Sequence, residues 1–63
     1  MENIVSYKYA LREQVHYSKS ENNKSGFIIK IDIKIEDEFV SIYYDINDNG
    51  EVIRRVREKD IWI

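Results

Sequence analysis

The chain's nearest approach to a metal motif is Asp45-Ile46-Asn47-Asp48-Asn49-Gly50-Glu51-Val52, which places oxygen side chains at positions one, three and five of a calcium-loop pattern, Gly at six and an aliphatic residue at eight. The pattern then stops. Position twelve needs a bidentate Glu and is Val56, and the flanking residues alternate as strands where the motif needs helices. Asn and Asp are enriched here for the reason they are enriched in tight turns, so the expectation is no metal. His16 is the only imidazole and there is no Cys, so neither a structural zinc nor an activated nucleophile has support. With Val15 and Tyr17 facing inward, His16 faces water. Asp32, Glu36, Asp37 and Glu38 fall on the polar side and tip of one ribbon, where carboxylates keep a sheet soluble. The expectation is a protein that is not an enzyme and uses no cofactor.

Two surface features remain. Arg54, Arg55, Arg57 and Lys59 crowd into six residues, a density of cations that suits phosphates or carboxylates. Lys30 and Lys34 extend the patch across the neighbouring strand, but Asp32 and Glu36 interleave with them, a pattern that also suits cross-strand ion pairs. The second feature is apolar. If Val40, Ile42, Tyr44 and Ile46 point inward, Phe39 and Tyr43 point outward, and Ile28 on the facing strand joins them. The predicted partner-binding residues are therefore Phe39, Tyr43, Ile28, Arg54, Arg55 and Arg57. Residues 1–11 supply the competing arrangement, in which Ile4, Val5, Tyr7 and Tyr9 fold back over the patch.

These residues must be held by strands. From Phe27 to Glu36 every odd position is apolar and, after Ile28, every even position is charged, the period-two pattern of a strand with one buried face. Val40, Ile42, Tyr44 and Ile46 continue in the opposite phase, so Glu36-Asp37-Glu38 joins two antiparallel partners into a long ribbon. Asn47-Asp48-Asn49-Gly50 closes a second hairpin with Gly50 at positive φ, and Glu51 to Arg57 returns. Parity breaks in that return strand, because Val52 and Val56 facing inward would bury Arg54, and a bulge near Ile53-Arg54 resolves the conflict. Gln14 to Ser18 reads as a short strand, Lys19 to Gly26 as a polar loop, Arg57 to Asp60 as a single 3₁₀-like turn and Ile61-Trp62-Ile63 as a last strand. Residues 1–11 favour an extended conformation. The predicted core is Phe27, Ile29, Ile31, Ile33, Val40, Ile42, Tyr44 and Ile61.

Sixty-three residues make one small domain, with residues 1–11 as an N-terminal extension or added strand and 12–63 as the body. Eleven Ile and five Val stand against one Leu and one Ala, a β-branched excess that argues for an all-β fold. A net charge of −2 argues against general attraction to nucleic acid. No apolar run reaches the length of a membrane span and the first residues lack the features of a signal peptide, so a cytoplasmic protein with no membrane partner is expected. The bias to Ile, Lys and Asn fits AT-rich coding sequence. The segments Val15-His16-Tyr17, Gly26-Phe27-Ile28-Ile29, Asp48-Asn49-Gly50-Glu51-Val52 and Val56 to Trp62 resemble SH3-like barrels of the tudor and KOW type, and look most like small proteins of Gram-positive bacteria and their phages. The resemblance covers roughly Leu11 to Ile63 and rests on the order of elements. It implies a small, strongly bent antiparallel sheet of about five strands curled into a barrel. Such barrels often carry a Gly-Asp or Gly-Glu pair before the first strand, where this chain has Arg12-Glu13. The expected function is a non-enzymatic protein-binding module, encoded by a phage or mobile element, that occludes a host protein or pairs with a second copy of itself. The alternative is a nucleic-acid-binding barrel using the Arg54, Arg55 and Arg57 edge.

Overall fold

The alternating run at the centre of the sequence forms a strand that begins well before its apolar part. In the computed structural model, which describes residues 7–63, strand β2 spans Asn22–Glu36 and pairs from Phe27 to Glu36 with β3, Phe39–Asp48. Strand β1, Gln14–Lys19, lies on the other side of the first half of β2, and β4, Glu51–Arg57, lies outside the second half of β3. A 3₁₀ turn, Glu58–Asp60, then brings β5, Ile61–Trp62, against β1. The result is one antiparallel five-stranded sheet in the order β4-β3-β2-β1-β5. The all-β expectation holds. A closed barrel does not form, because β4 and β5 end the strand order without pairing to each other.

Tight turns explain the continuity of the hairpins. Lys19 pairs with Asn22, so Ser20-Glu21 is a two-residue turn with φ of 50° and 68°. These are the two left-handed residues of a turn whose twist matches that of the strands. The polar loop expected from Lys19 to Gly26 is thus mostly strand, a correction that hydrophilic composition hid. Asn49 and Gly50 close the second hairpin at φ of 53° and 95°, as the Asn-Gly pair predicts. The Asn47 Oδ1 accepts the Gly50 N–H at 2.8 Å, which gives the Asn-rich segment a turn-building role.

The core is Tyr9, Val15, Tyr17, Ile28, Tyr44, Ile46, Val56 and Ile61, with Ile31, Ile42 and Ile53 packed at its margin. Two β-bulges decide this membership. In β2 the register slips between Ile28 and Lys30, so Ile29 is an extra residue with no partner on β3. Gly26 and Ile28 therefore face the core before the bulge, while Ile31, Ile33 and Ile35 continue the same face after it. Phe27 and Ile29, predicted to be buried, are 51% and 45% exposed, whereas Ile28, predicted to face a partner, is fully buried. In β4 two residues, Arg54 and Arg55, oppose Asp45 alone. That bulge lets Ile53 and Val56 both reach the inner side while Val52 stays exposed. The bulge expected near Ile53-Arg54 is present one residue further on.

Of residues 1–11, positions 1–6 lie outside the described residues. Tyr7 to Leu11 form no strand. Tyr9 instead packs edge-on against Tyr44, ring centroids 5.5 Å apart, and its hydroxyl donates to the Ile61 carbonyl at 2.7 Å. The chain then turns at Arg12, φ 72°, whose N–H donates to the Ile28 carbonyl, while the Glu13 side chain accepts the Ala10 N–H. Arg12 thus holds the left-handed conformation for which Gly is the usual residue.

Candidate functional site

The ribbon of β2 and β3 outruns the core. For 63 residues a compact domain has a radius of gyration of roughly 11 Å; this chain has 12.3 Å and extents of 41 × 22 × 18 Å. β1 and its lead-in follow β2 only to Ile28, and β4 follows β3 only from Tyr43 to Asp48. Beyond those points Ile29–Glu36 and Phe39–Ile42 have each other and, among the described residues, no further strand.

The distal ribbon has two dissimilar faces. Its inner face continues the core with Ile33, Ile35 and Val40, the last two at 62% and 52% exposure. Ile33 and Val40 belong to the predicted core by side but not by burial, because the core ends before it reaches them. The outer face carries Asp32, Lys34 and Glu36 on β2 opposite Tyr43, Ser41 and Phe39 on β3. Phe39, at 71% exposure, is the most exposed aromatic residue described.

The arginine cluster folds onto this outer face. Asp45, almost fully buried, accepts the Arg55 N–H at 3.0 Å, and its other oxygen lies 4.0 Å from the Arg54 guanidinium. One carboxylate therefore fills the bulge and faces both arginines. Arg55 continues over the Tyr43 ring, 4.6 Å from its centre, a cation–π contact that occupies one face of the aromatic. Arg57 pairs across from Tyr43, and with Lys59, Ser41 and Ile42 the two line a depression of about 320 Å³ where β4 leaves β3. Among the described residues neither Arg57 nor Lys59 has an ion-pair partner.

The fold thus brings Phe39, Tyr43, Arg54, Arg55 and Arg57 to one side of the sheet and removes Ile28 from the set. Sequence reasoning missed Asp45 as the residue that organises the arginines, and Lys59 as a wall of the depression. It also missed a second hollow of about 310 Å³, where exposed Phe27 lies among Gln14, Ser25, Asn47 and Asn49. That hollow exists because the bulge turns Phe27 outward.

The tyrosine hydroxyls of the core are structural. Tyr44 donates to Glu58 and Tyr17 to Asp48, each at 2.6 Å. Burial, reinforced by these carboxylate partners, pushes both phenols up to about 12, and burial raises Tyr9 in the same direction. All three are neutral donors near neutral pH. His16 lies at the surface and stacks on Trp62 with ring centroids 6.0 Å apart. Comparison of the chain with protein-family models, curated proteins and solved structures found no match in any of them.

Proposed function

We propose that this chain is a non-enzymatic protein-recognition module of SH3-like kind whose contact element is the outer face of the projecting ribbon. The observation that carries the reading is the placement of Phe39, largely exposed, on the same side as Tyr43 and the basic depression of Arg57 and Lys59. An aromatic anchor beside cations at a rim is the composition of a protein interface. The order of short strand, long ribbon, tight hairpin, single 3₁₀ turn and terminal strand supports the SH3-like resemblance. The two-residue turn after β1, where such domains have a long loop, departs from it.

The arginine edge fits carboxylates better than a phosphate backbone. Asp45 already pairs with the Arg54 guanidinium, and Arg55 covers the Tyr43 ring that would otherwise stack on a base. Capture from a cellular extract with the parent and with Phe39→Ser/Arg57→Glu tests the reading. The expected result is a captured protein that the variant loses while its circular dichroism stays that of the parent. A folded variant that retains every captured protein, or captured material that proves to be nucleic acid eluting steeply with salt, would sink it.

A further inference from the structure

The free edge of β2 carries an ordered pattern of charge. Past Ile28 that edge has no neighbour among the described residues, and its side chains run Lys30, Ile31, Asp32, Ile33, Lys34, Ile35, Glu36. Reversing this segment about Ile33 sets Lys30 opposite Glu36 and Asp32 opposite Lys34, each twice by symmetry. On the other face it sets Ile31 opposite Ile35 and Ile33 opposite itself. Shifting the register by two residues pairs Lys30 with Lys34 or Lys34 with itself, so charge selects the one centred on Ile33. Cross-strand pairs of opposite charge stabilise an antiparallel ladder and like charges oppose it. Lys34 and Glu36 lie 2.8 Å apart on one strand, an exposed intrastrand pair that the reversed copy would exchange for Lys34 with Asp32 and Glu36 with Lys30.

We infer that the partner of this edge is a second copy of the chain, with β2 pairing antiparallel to β2 about a two-fold axis through Ile33. A two-fold interface must be complementary to itself, and the segment Lys30–Glu36 is so in both charge and apolar character. The other edges are poorer templates. β5 has two residues, and the bulge at Arg54 and Arg55 distorts β4, a common protection of sheet edges. Pairing would join two sheets into one of ten strands. The exposed Ile33 and Ile35 of each copy would then adjoin those of the other, extending one apolar face. The paired edge lies on the opposite side of the ribbon from Arg57 and the depression, although its charged stripe shares the outer face with Phe39 and Tyr43.

Sedimentation of the purified chain at concentrations up to about 1 mM should show the mass of two 7.6 kDa chains. Asp32→Lys/Glu36→Lys makes the stripe wholly basic and Lys30→Glu/Lys34→Glu makes it wholly acidic. Each alone should sediment as a monomer, and an equal mixture should restore the dimer, because every reversed pair is then opposite in charge. Ile33→Cys, in a chain with no other Cys, should oxidise to a covalent dimer, since directly opposed residues of an antiparallel pair lie within disulfide reach. The inference is overturned by a parent that stays monomeric, by single variants that dimerise as the parent does, or by a mixture that stays monomeric. A monomeric parent whose Phe39→Ser/Arg57→Glu variant still loses its captured protein would overturn this inference and leave the recognition surface standing.

Discussion

At the scale of single residues, the two glycines of this chain serve different physical needs. Gly50 needs conformation: its φ is +95° and a Cβ there would meet nothing within 4 Å. Gly26 needs space: a Cβ would lie 2.6 Å from both the Asn47 carbonyl oxygen and the Ile46 Cγ2. One of those neighbours is backbone and the other a fully buried side chain, so neither yields without moving β3. Gly50→Ala is expected to cost about 1 kcal/mol from the strained dihedral. Gly26→Ala should cost more, about 1–3 kcal/mol, as overpacking does. Urea midpoints of the two variants check the order. A Gly26→Ala chain more stable than Gly50→Ala would mean that β2 and β3 are further apart than described.

The strands show what could be read in the sequence and what could not. Period-two alternation identified β2 and β3, the Asn-Gly pair identified the second hairpin, and the parity conflict between Val52 and Val56 announced the bulge in β4. The bulge at Ile29 left no such mark. Phe27, Ile29 and Ile31 alternate without a break, and only pairing with Asp45 and Ile46 shows that one residue has been skipped. A single skipped residue exchanges the faces of everything before it, which is why Phe27 and Ile28 are on the opposite sides from those predicted. The candidate site was legible to the same extent: Phe39, Tyr43 and the arginines lie beyond the error, and Ile28 does not. The β4 bulge also rests on one side chain, since Asp45 accepts the N–H of Arg55, a non-glycine residue at φ 56°. Asp45→Ala leaves that donor without its acceptor and is expected to cost about 1.5–3 kcal/mol. Asp45→Asn keeps an oxygen in place and should cost less. Equal losses in the two variants, measured by denaturant unfolding, would show that the bulge is held by packing alone.

Across the whole molecule, the core is confined to the half where all five strands meet, and three tyrosines bind its rim. Tyr17 ties β1 to Asp48 at the end of β3, Tyr44 ties β3 to Glu58 in the 3₁₀ turn, and Tyr9 ties the N-terminal segment to Ile61. These contacts join elements that no ladder joins, so their loss loosens the fold as a unit. In each case the folded phenol is harder to ionise than the free one, chiefly because it is buried and, for Tyr17 and Tyr44, also because it donates to a carboxylate. A folded pKa raised above the unfolded value means that the folded chain holds its proton longer. The stabilisation is then complete below the ordinary tyrosine value of 10.0 and is lost as pH climbs toward about 12. Urea midpoints should therefore fall steeply from pH 10 to pH 12, in addition to any loss from lysine titration. Tyr17→Phe separates the two contributions. It removes one ionisation and one hydrogen bond, so the variant should start less stable at pH 8 and lose less than the parent between pH 10 and pH 12. A variant whose stability falls in parallel with the parent's across that window would show that Tyr17 ionises as freely in the folded chain as in the unfolded one, and that its contact with Asp48 does not hold β1 to the hairpin.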